Sequence, residues 1–113
     1  MARGSQILHD NYRSMRGICR AHGARFVSAT FHVLDEGDAF GRAIVAWNDV
    51  LRRWAKQEDV PIADLAGRIP HGDGSLHVDQ AHFTAAGDAR VAEIFEETLR
   101  ERVLPDIAAA GKR

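Results

Sequence analysis

Residues 25–65 read RFVSATFHVLDEGDAFGRAIVAWNDVLRRWAKQEDVPIADL, and two short apolar runs in this stretch flank one amphipathic pattern. The run at 25–31 is partly β-branched and alternates little, as strands buried on both faces of a parallel sheet do. The run at 60–65 predicts a second strand. Pro61 cannot donate to a ladder, which places this strand at a sheet edge or leaves its first residues unpaired. The stripe between the runs predicts a helix over 40–57. This order favours a parallel pair with a right-handed crossover.

Two more helices are predicted outside this unit. Over 5–22, apolar residues recur every three or four positions, and Gly23 is placed to end that helix. Residues 66–83 are rich in glycine and predict a loop. Thr84 is a suitable N-cap for a last helix that ends near position 103.

These elements predict an α/β fold of two parallel strands and three main helices. We expect one partial domain over 1–113, with a structured core at 5–104 and a frayed tail over 105–113. Trp47 and Trp54 lie seven positions apart on one face of the middle helix and are predicted to enter the core. Parallel strands need neighbours and cover on both faces, so two strands are too few for a complete sheet. The pattern therefore indicates the trailing part of a larger sheet with an exposed edge.

The composition is that of a globular domain, with 45% hydrophobic and 27% charged residues in a chain of 113. A formal net charge of -1 gives no reason to expect nucleic acid or an anionic membrane as a partner. The single cysteine rules out an internal disulfide. No apolar run is long enough to span a bilayer and the first residues lack a secretory signal pattern, so the chain as written is expected to be cytoplasmic. A missing N-terminal part would leave the compartment unknown.

Side chains suited to chemistry concentrate in residues 77–87, HVDQAHFTAAG, immediately before the last helix. Asp79 precedes His82 by three residues, and a turn here brings the carboxylate to the imidazole. A carboxylate in that place holds the ring in one tautomer and stabilises its positive charge after it takes a proton. A base poised in this way activates a serine hydroxyl in acyl-transfer enzymes. From the spacing alone, a structural turn in which Asp79 caps a backbone amide is the simpler interpretation.

The pattern Asp79-x-x-His82-x-Thr84-x-x-Gly87 resembles the closing motif of the SGNH/GDSL hydrolases. The resemblance extends to the order helix, strand, helix, strand, loop and helix over 5–104. It implies the C-terminal half of a flavodoxin-like three-layer domain. It also implies His82 as the catalytic base, Asp79 as its orienting partner, and an ester of a small acyl, lipid or carbohydrate group as substrate. That chemistry requires no metal and no organic cofactor.

The other motifs of that family are not found. In the resemblance, a Gly-Asp-Ser block after an N-terminal strand supplies the nucleophile, and a Gly and an Asn supply oxyanion donors. Residues 72–75, GDGS, are similar to that block but follow no strand, so Ser75 is interpreted as part of a turn. Asn48 and Asp49 resemble the Asn motif but fall inside a helix pattern, where both are predicted to face solvent. We therefore expect the chain alone to be inactive.

The sequence is compatible with three functions. These are an inactive esterase remnant, a half-enzyme completed by a separate N-terminal half, and a small α/β binding module. The first two predict association through the exposed sheet edge, with another copy or with the N-terminal half. The loop also carries side chains that zinc accepts, namely His71, Asp73, His77, Asp79 and His82. Their spacing fits no metal motif and the glycines between them raise the ordering cost, so no metal is expected.

Overall fold

Seven secondary-structure elements run through residues 3–111, the part of the chain that the computed structural model describes. In chain order they are α1 Arg3–Ala21, β1 Ser28–Ala29, α2 Ala39–Gln57, β2 Ile62–Ala63, α3 Leu65–Arg68, α4 Ala85–Arg102 and α5 Leu104–Gly111. The three long helices and the two strands come in the predicted order. Residues 105–111 of the predicted tail belong to α5, and its last two residues, 112 and 113, lie outside the described residues. Pro105 is the second residue of α5, in the first turn, where its missing N–H costs no intrahelical bond.

The two strands pair in parallel, with Ala29 opposite Ala63. The N–H of Thr30 donates to the carbonyl of Ala63 at 3.1 Å. The N–H of Ser28 donates to the carbonyl of Pro61 at 3.0 Å, although Pro61 itself precedes β2. The predicted α/β fold with two parallel strands is therefore confirmed.

β1 is shorter than the predicted run at 25–31, and a side chain binds the backbone of Phe31 on the edge that faces away from β2. Backbone groups of alternate residues in a parallel strand face opposite sides. Since Thr30 bonds to β2, the groups of Phe31 face away from it. There the Phe31 N–H donates to Oδ1 of Asn48 at 2.8 Å, and Nδ2 of Asn48 donates to the Phe31 carbonyl at 2.8 Å. Asn48 is 2% exposed, so the prediction that it faces solvent is wrong.

Side-chain oxygens begin three of the helices by accepting a backbone N–H from their first turn. They belong to Asp38 before α2, Asp64 before α3 and Thr84 before α4. The predicted N-cap at Thr84 is thus confirmed. The run predicted as a strand over 60–65 stops at Ala63, because Asp64 caps the short helix that follows. Within residues 3–111, no helix has both the length and the apolar character needed to cross a membrane.

Helices cover both faces of the strand pair. Ile62 packs on a cluster formed by α1 and α2, whereas the core residue Ala63 packs with Ile94 of α4. Successive strand residues point to opposite faces, so the two strands form the middle of three layers. This arrangement leaves the edge of β1 that faces away from β2 without a neighbouring strand among residues 3–111.

The two tryptophans of α2 have different surroundings. The inward stripe of the helix is centred on Asn48 and Leu51, and both tryptophans lie at its margin. Trp54 is covered there by Tyr12 of α1, with ring centroids 5.4 Å apart, and is 1% exposed. Trp47 lacks such cover and is 49% exposed, so the prediction that it enters the core is wrong.

Candidate functional site

The carboxylate of Asp79 and the imidazole of His82 are in contact at the turn before α4. Nδ1 of His82 lies 2.9 Å from Oδ1 of Asp79 and 3.0 Å from Oδ2. Oδ1 also accepts the backbone N–H of Ala81 at 2.9 Å and that of His82 at 2.8 Å. The Ala81 N–H, followed by the side-chain and backbone donors of His82, lowers the pKa of the Asp79 carboxyl to about 2. At neutral pH the imidazole therefore faces an ionised carboxylate.

The other ring nitrogen of His82, Nε2, makes no hydrogen bond within residues 3–111. The side chain is 78% exposed. An ionised carboxylate only accepts hydrogen bonds, so Nδ1 is the nitrogen that carries the proton in the neutral ring. The lone pair is then on Nε2, where it can take a proton from a group that approaches from outside.

Gln80 connects this turn through hydrogen bonds to the residues that follow β1. Its carbonyl accepts the N–H of Leu34 at 3.1 Å. Its side-chain Oε1 accepts the N–H of Asp35 at 2.7 Å. Both partners follow β1, so the turn lies at the carboxyl-terminal edge of the parallel pair, where open α/β sheets bind ligands. Sequence reasoning missed Gln80, because it occupies an unspecified position of the motif.

Thr84 and Gly87 place the loop on the first turn of α4. Oγ1 of Thr84 accepts the Gly87 N–H at 3.2 Å and donates to the carbonyl of Ser75 at 2.7 Å. A Cβ at Gly87 would lie 2.2 Å from the carbonyl oxygen of Leu76 and 2.7 Å from the ring of Phe83. A larger residue there would push the loop off the helix, which explains the Thr-x-x-Gly spacing physically.

Three histidine rings stack beside this loop. The centroid of His32 lies 4.3 Å from that of His71 and 4.8 Å from that of His77. Nδ1 of His32 is 2.7 Å from Nε2 of His77, and Nε2 of His32 is 3.0 Å from the carbonyl oxygen of Ile69. Burial lowers the pKa of His32, which favours its neutral form. His32 then donates to Ile69 and accepts from His77.

The stack joins the loop to the residues that follow β1. Within residues 3–111, no three side chains of His, Cys, Asp or Glu are placed to hold a metal ion. The two ring nitrogens of His71 each lie 2.8 Å from a backbone carbonyl oxygen, one of Val33 and one of Ala66. Sequence reasoning missed His32, because only the tertiary fold brings it against the other two rings.

Ser75 forms a turn with Asp73. Its hydroxyl donates to Oδ1 of Asp73 at 2.6 Å, and its backbone N–H donates to the same oxygen at 2.9 Å. The hydroxyl makes no hydrogen bond to His82. The structure therefore brings together Asp79 and His82, and it leaves Ser75 in the separate turn expected of it.

A solved structure shares this fold. It is the esterase domain of the ZfL2-1 ORF1 protein from the zebrafish ZfL2-1 retrotransposon, which this chain matches with a TM-score of 0.72 at 20% sequence identity. The match covers 88% of this chain and 61% of that chain, so this chain spans less than two thirds of that domain. The likeness shows that the two chains share a fold. No protein-family model and no curated protein matches the chain.

Proposed function

We propose that the chain is the C-terminal part of a serine esterase domain of the SGNH/GDSL type. The observation that carries this proposal is the 2.9 Å contact between Asp79 Oδ1 and His82 Nδ1 at the carboxyl-terminal edge of a parallel strand pair. The contacts of Thr84 and Gly87, which set the turn on the last long helix, support it. The fold shared with the zebrafish esterase domain supports it as well.

In the completed site, His82 accepts the proton of a serine hydroxyl at Nε2 while that oxygen attacks an ester carbonyl. The ring then returns the proton to the leaving alcohol. Asp79 stabilises the positive charge of the ring between these steps, and a carboxyl with a pKa of about 2 stays ionised throughout. The substrate is an ester of a small acyl, lipid or carbohydrate group, and these steps require no metal or organic cofactor.

The serine and the oxyanion donors are proposed to come from an N-terminal half, either joined to this chain or separate. The open edge of β1 offers the place for its strands. The backbone groups of Ala29 face that edge, because Thr30, the next residue, bonds to β2. The backbone groups of Phe31 face the same edge but are already bonded to Asn48. Phe31 is 45% exposed and Trp47 is 49% exposed, so an added layer would bury apolar surface there.

Co-expression with the serine-bearing N-terminal half of an SGNH esterase domain tests the proposal. The chain alone is expected to leave p-nitrophenyl acetate intact, and the complex is expected to hydrolyse it. His82→Ala in the complex is expected to reduce turnover on the order of 10³-fold or more. His22→Ala, at an exposed histidine after α1, is the matched control and leaves turnover unchanged.

Two outcomes would contradict the proposal. Turnover that survives His82→Ala would mean that another group is the base. The α/β binding module would be favoured instead by two results together. The chain would be stable without pairing with an N-terminal half, and its binding to other molecules would not change when both Asp79 and His82 are substituted.

A further inference from the structure

A cavity of about 240 Å³ opens at the end of the strand pair opposite the Asp79–His82 turn. Its lining includes Phe26, which precedes β1, and Val60, which precedes β2. Both residues precede their strands, so the cavity lies at the amino-terminal edge of the sheet. The Asp79–His82 turn lies at the other edge, because it contacts residues that follow β1. A ligand in this cavity is therefore independent of the proposed ester chemistry.

The cavity carries an excess of positive charge. Four arginines line it, namely Arg16, Arg20, Arg25 and Arg102. Two acidic residues, Asp59 and Asp106, line it as well. The lining is therefore net positive, within a concave surface where charges interact more strongly than in open water.

Two of the four arginines have acidic partners. Arg102 pairs with Asp59 at 3.2 Å, and Arg16 pairs with Glu58 at 3.4 Å. Arg20 and Arg25 have no carboxylate partner among residues 3–111. With the two ion pairs set aside, Arg20 of α1 and Arg25, which precedes β1, remain with one lining carboxylate, that of Asp106, so one positive charge is in excess.

We infer that this cavity binds a small ligand through a phosphate group. Guanidinium groups offer planar pairs of donors that match phosphate oxygens, and they do so better than a point charge. The volume lies below the roughly 300–1,000 Å³ of pockets that hold drug-sized ligands, so it suits a phosphate with a short substituent. Phe26, Val60 and Pro61 provide an apolar wall for that substituent.

Titration of the full chain with inorganic phosphate at constant ionic strength tests this inference. Saturable ¹H–¹⁵N shifts are expected at residues 24–26 and 59–60. The double variant Arg20→Gln/Arg25→Gln is expected to weaken phosphate binding at least about tenfold. The control Arg53→Gln/Arg100→Gln removes the same charge from positions outside the cavity lining and leaves binding unchanged.

A second variant changes the binding in the opposite direction. Asp59→Asn removes the carboxylate that pairs with Arg102. Asparagine also tolerates the left-handed backbone of position 59, where φ is 51°. With Arg102 released towards the cavity, phosphate is expected to bind severalfold more tightly.

Two sources of the phosphate group are distinguished by vesicles. Binding to phosphatidic acid vesicles but not to phosphatidylcholine vesicles, lost in Arg20→Gln/Arg25→Gln, would assign a lipid headgroup. Phosphate binding without vesicle binding would assign a soluble phosphate ester. Shifts that do not saturate, equal weakening in both double variants, or acetate shifts as large as those of phosphate would overturn the inference. Circular dichroism checks that each variant is folded.

Discussion

The side-chain amide of Gln80 pairs with the backbone of Asp35 as a neighbouring strand residue would. Its Oε1 accepts the Asp35 N–H at 2.7 Å, and its Nε2 donates to the Asp35 carbonyl at 2.6 Å and to Oδ2 of Asp38 at 3.0 Å. Gln80 stands between Asp79 and His82 in the chain, so this pairing fastens both to the loop that leaves β1. The position of the imidazole relative to the sheet thus depends on a residue with no role in proton transfer.

Replacing Gln80 with alanine is expected to release the turn without unfolding the chain. The lost hydrogen bonds are expected to lower the free energy of unfolding by about 1–2 kcal/mol. The Asp35 N–H loses its acceptor, so its hydrogen exchange is expected to accelerate at least about tenfold. Gln57→Ala, at an exposed glutamine at the end of α2, is the control. Equal exchange at Asp35 in both variants would mean that other contacts hold the turn.

Replacing Asn48 with alanine is expected to be one of the more destabilising changes in α2. It leaves the N–H and carbonyl of Phe31 without their partners at the edge of β1. The expected loss is about 2–3 kcal/mol of unfolding free energy, measured by urea denaturation. Asp49→Ala, at the exposed neighbouring position, is expected to cost less than about 1 kcal/mol. A similar small effect for both would mean that solvent satisfies Phe31.

Stability is expected to fall as the pH drops below neutral, because burial lowers the pKa of His32 from its usual 6.5. The unfolded chain then binds more protons than the folded chain. The contribution of His32 is full above about pH 6.5 and is lost as the pH falls towards the lowered value. The hydrogen bond to the Ile69 carbonyl opposes burial and raises the pKa of His32. The like charges of His71 and His77 lower that pKa, and Glu36 raises it.

Urea denaturation at about pH 7.5 and about pH 5.5 measures this loss. His32→Gln is expected to flatten the pH dependence, whereas His22→Gln, at an exposed histidine, is expected to preserve it. An unchanged slope in His32→Gln would assign the pH dependence to other groups.

Helix positions and the parallel order could be predicted because their signals are local. The cap at Thr84 acts within four residues of itself, and the apolar stripes repeat along each helix. The contacts at the edge of β1 could not be predicted in the same way. Asn48 of α2 binds the backbone of Phe31, and a polar residue in an amphipathic helix is normally placed on the outside. The prediction that Trp47 enters the core failed for a related reason, because the inward stripe of α2 is centred on Asn48.

In the candidate site, too, local contacts could be predicted and long-range contacts could not. Asp79 and His82 are three residues apart, so a single turn suffices to join them. His32 follows β1, whereas His71 and His77 lie in the loop before α4, and only the packed fold stacks the three rings. Gln80 bonds to Asp35, a residue far from it in sequence, and no local spacing pattern predicts such a contact.

Two-bond ¹H–¹⁵N correlation spectra of the intact chain test the Asp79–His82 relationship most directly, since they report which ring nitrogen holds the proton in the neutral imidazole. The 2.9 Å contact predicts the Nδ1–H form for His82, replaced by the Nε2–H form in Asp79→Ala and retained in the control Asp73→Ala. An Nε2–H ring in the unmodified chain, indifferent to Asp79→Ala, would contradict the assignment of His82 as a base aligned by this carboxylate.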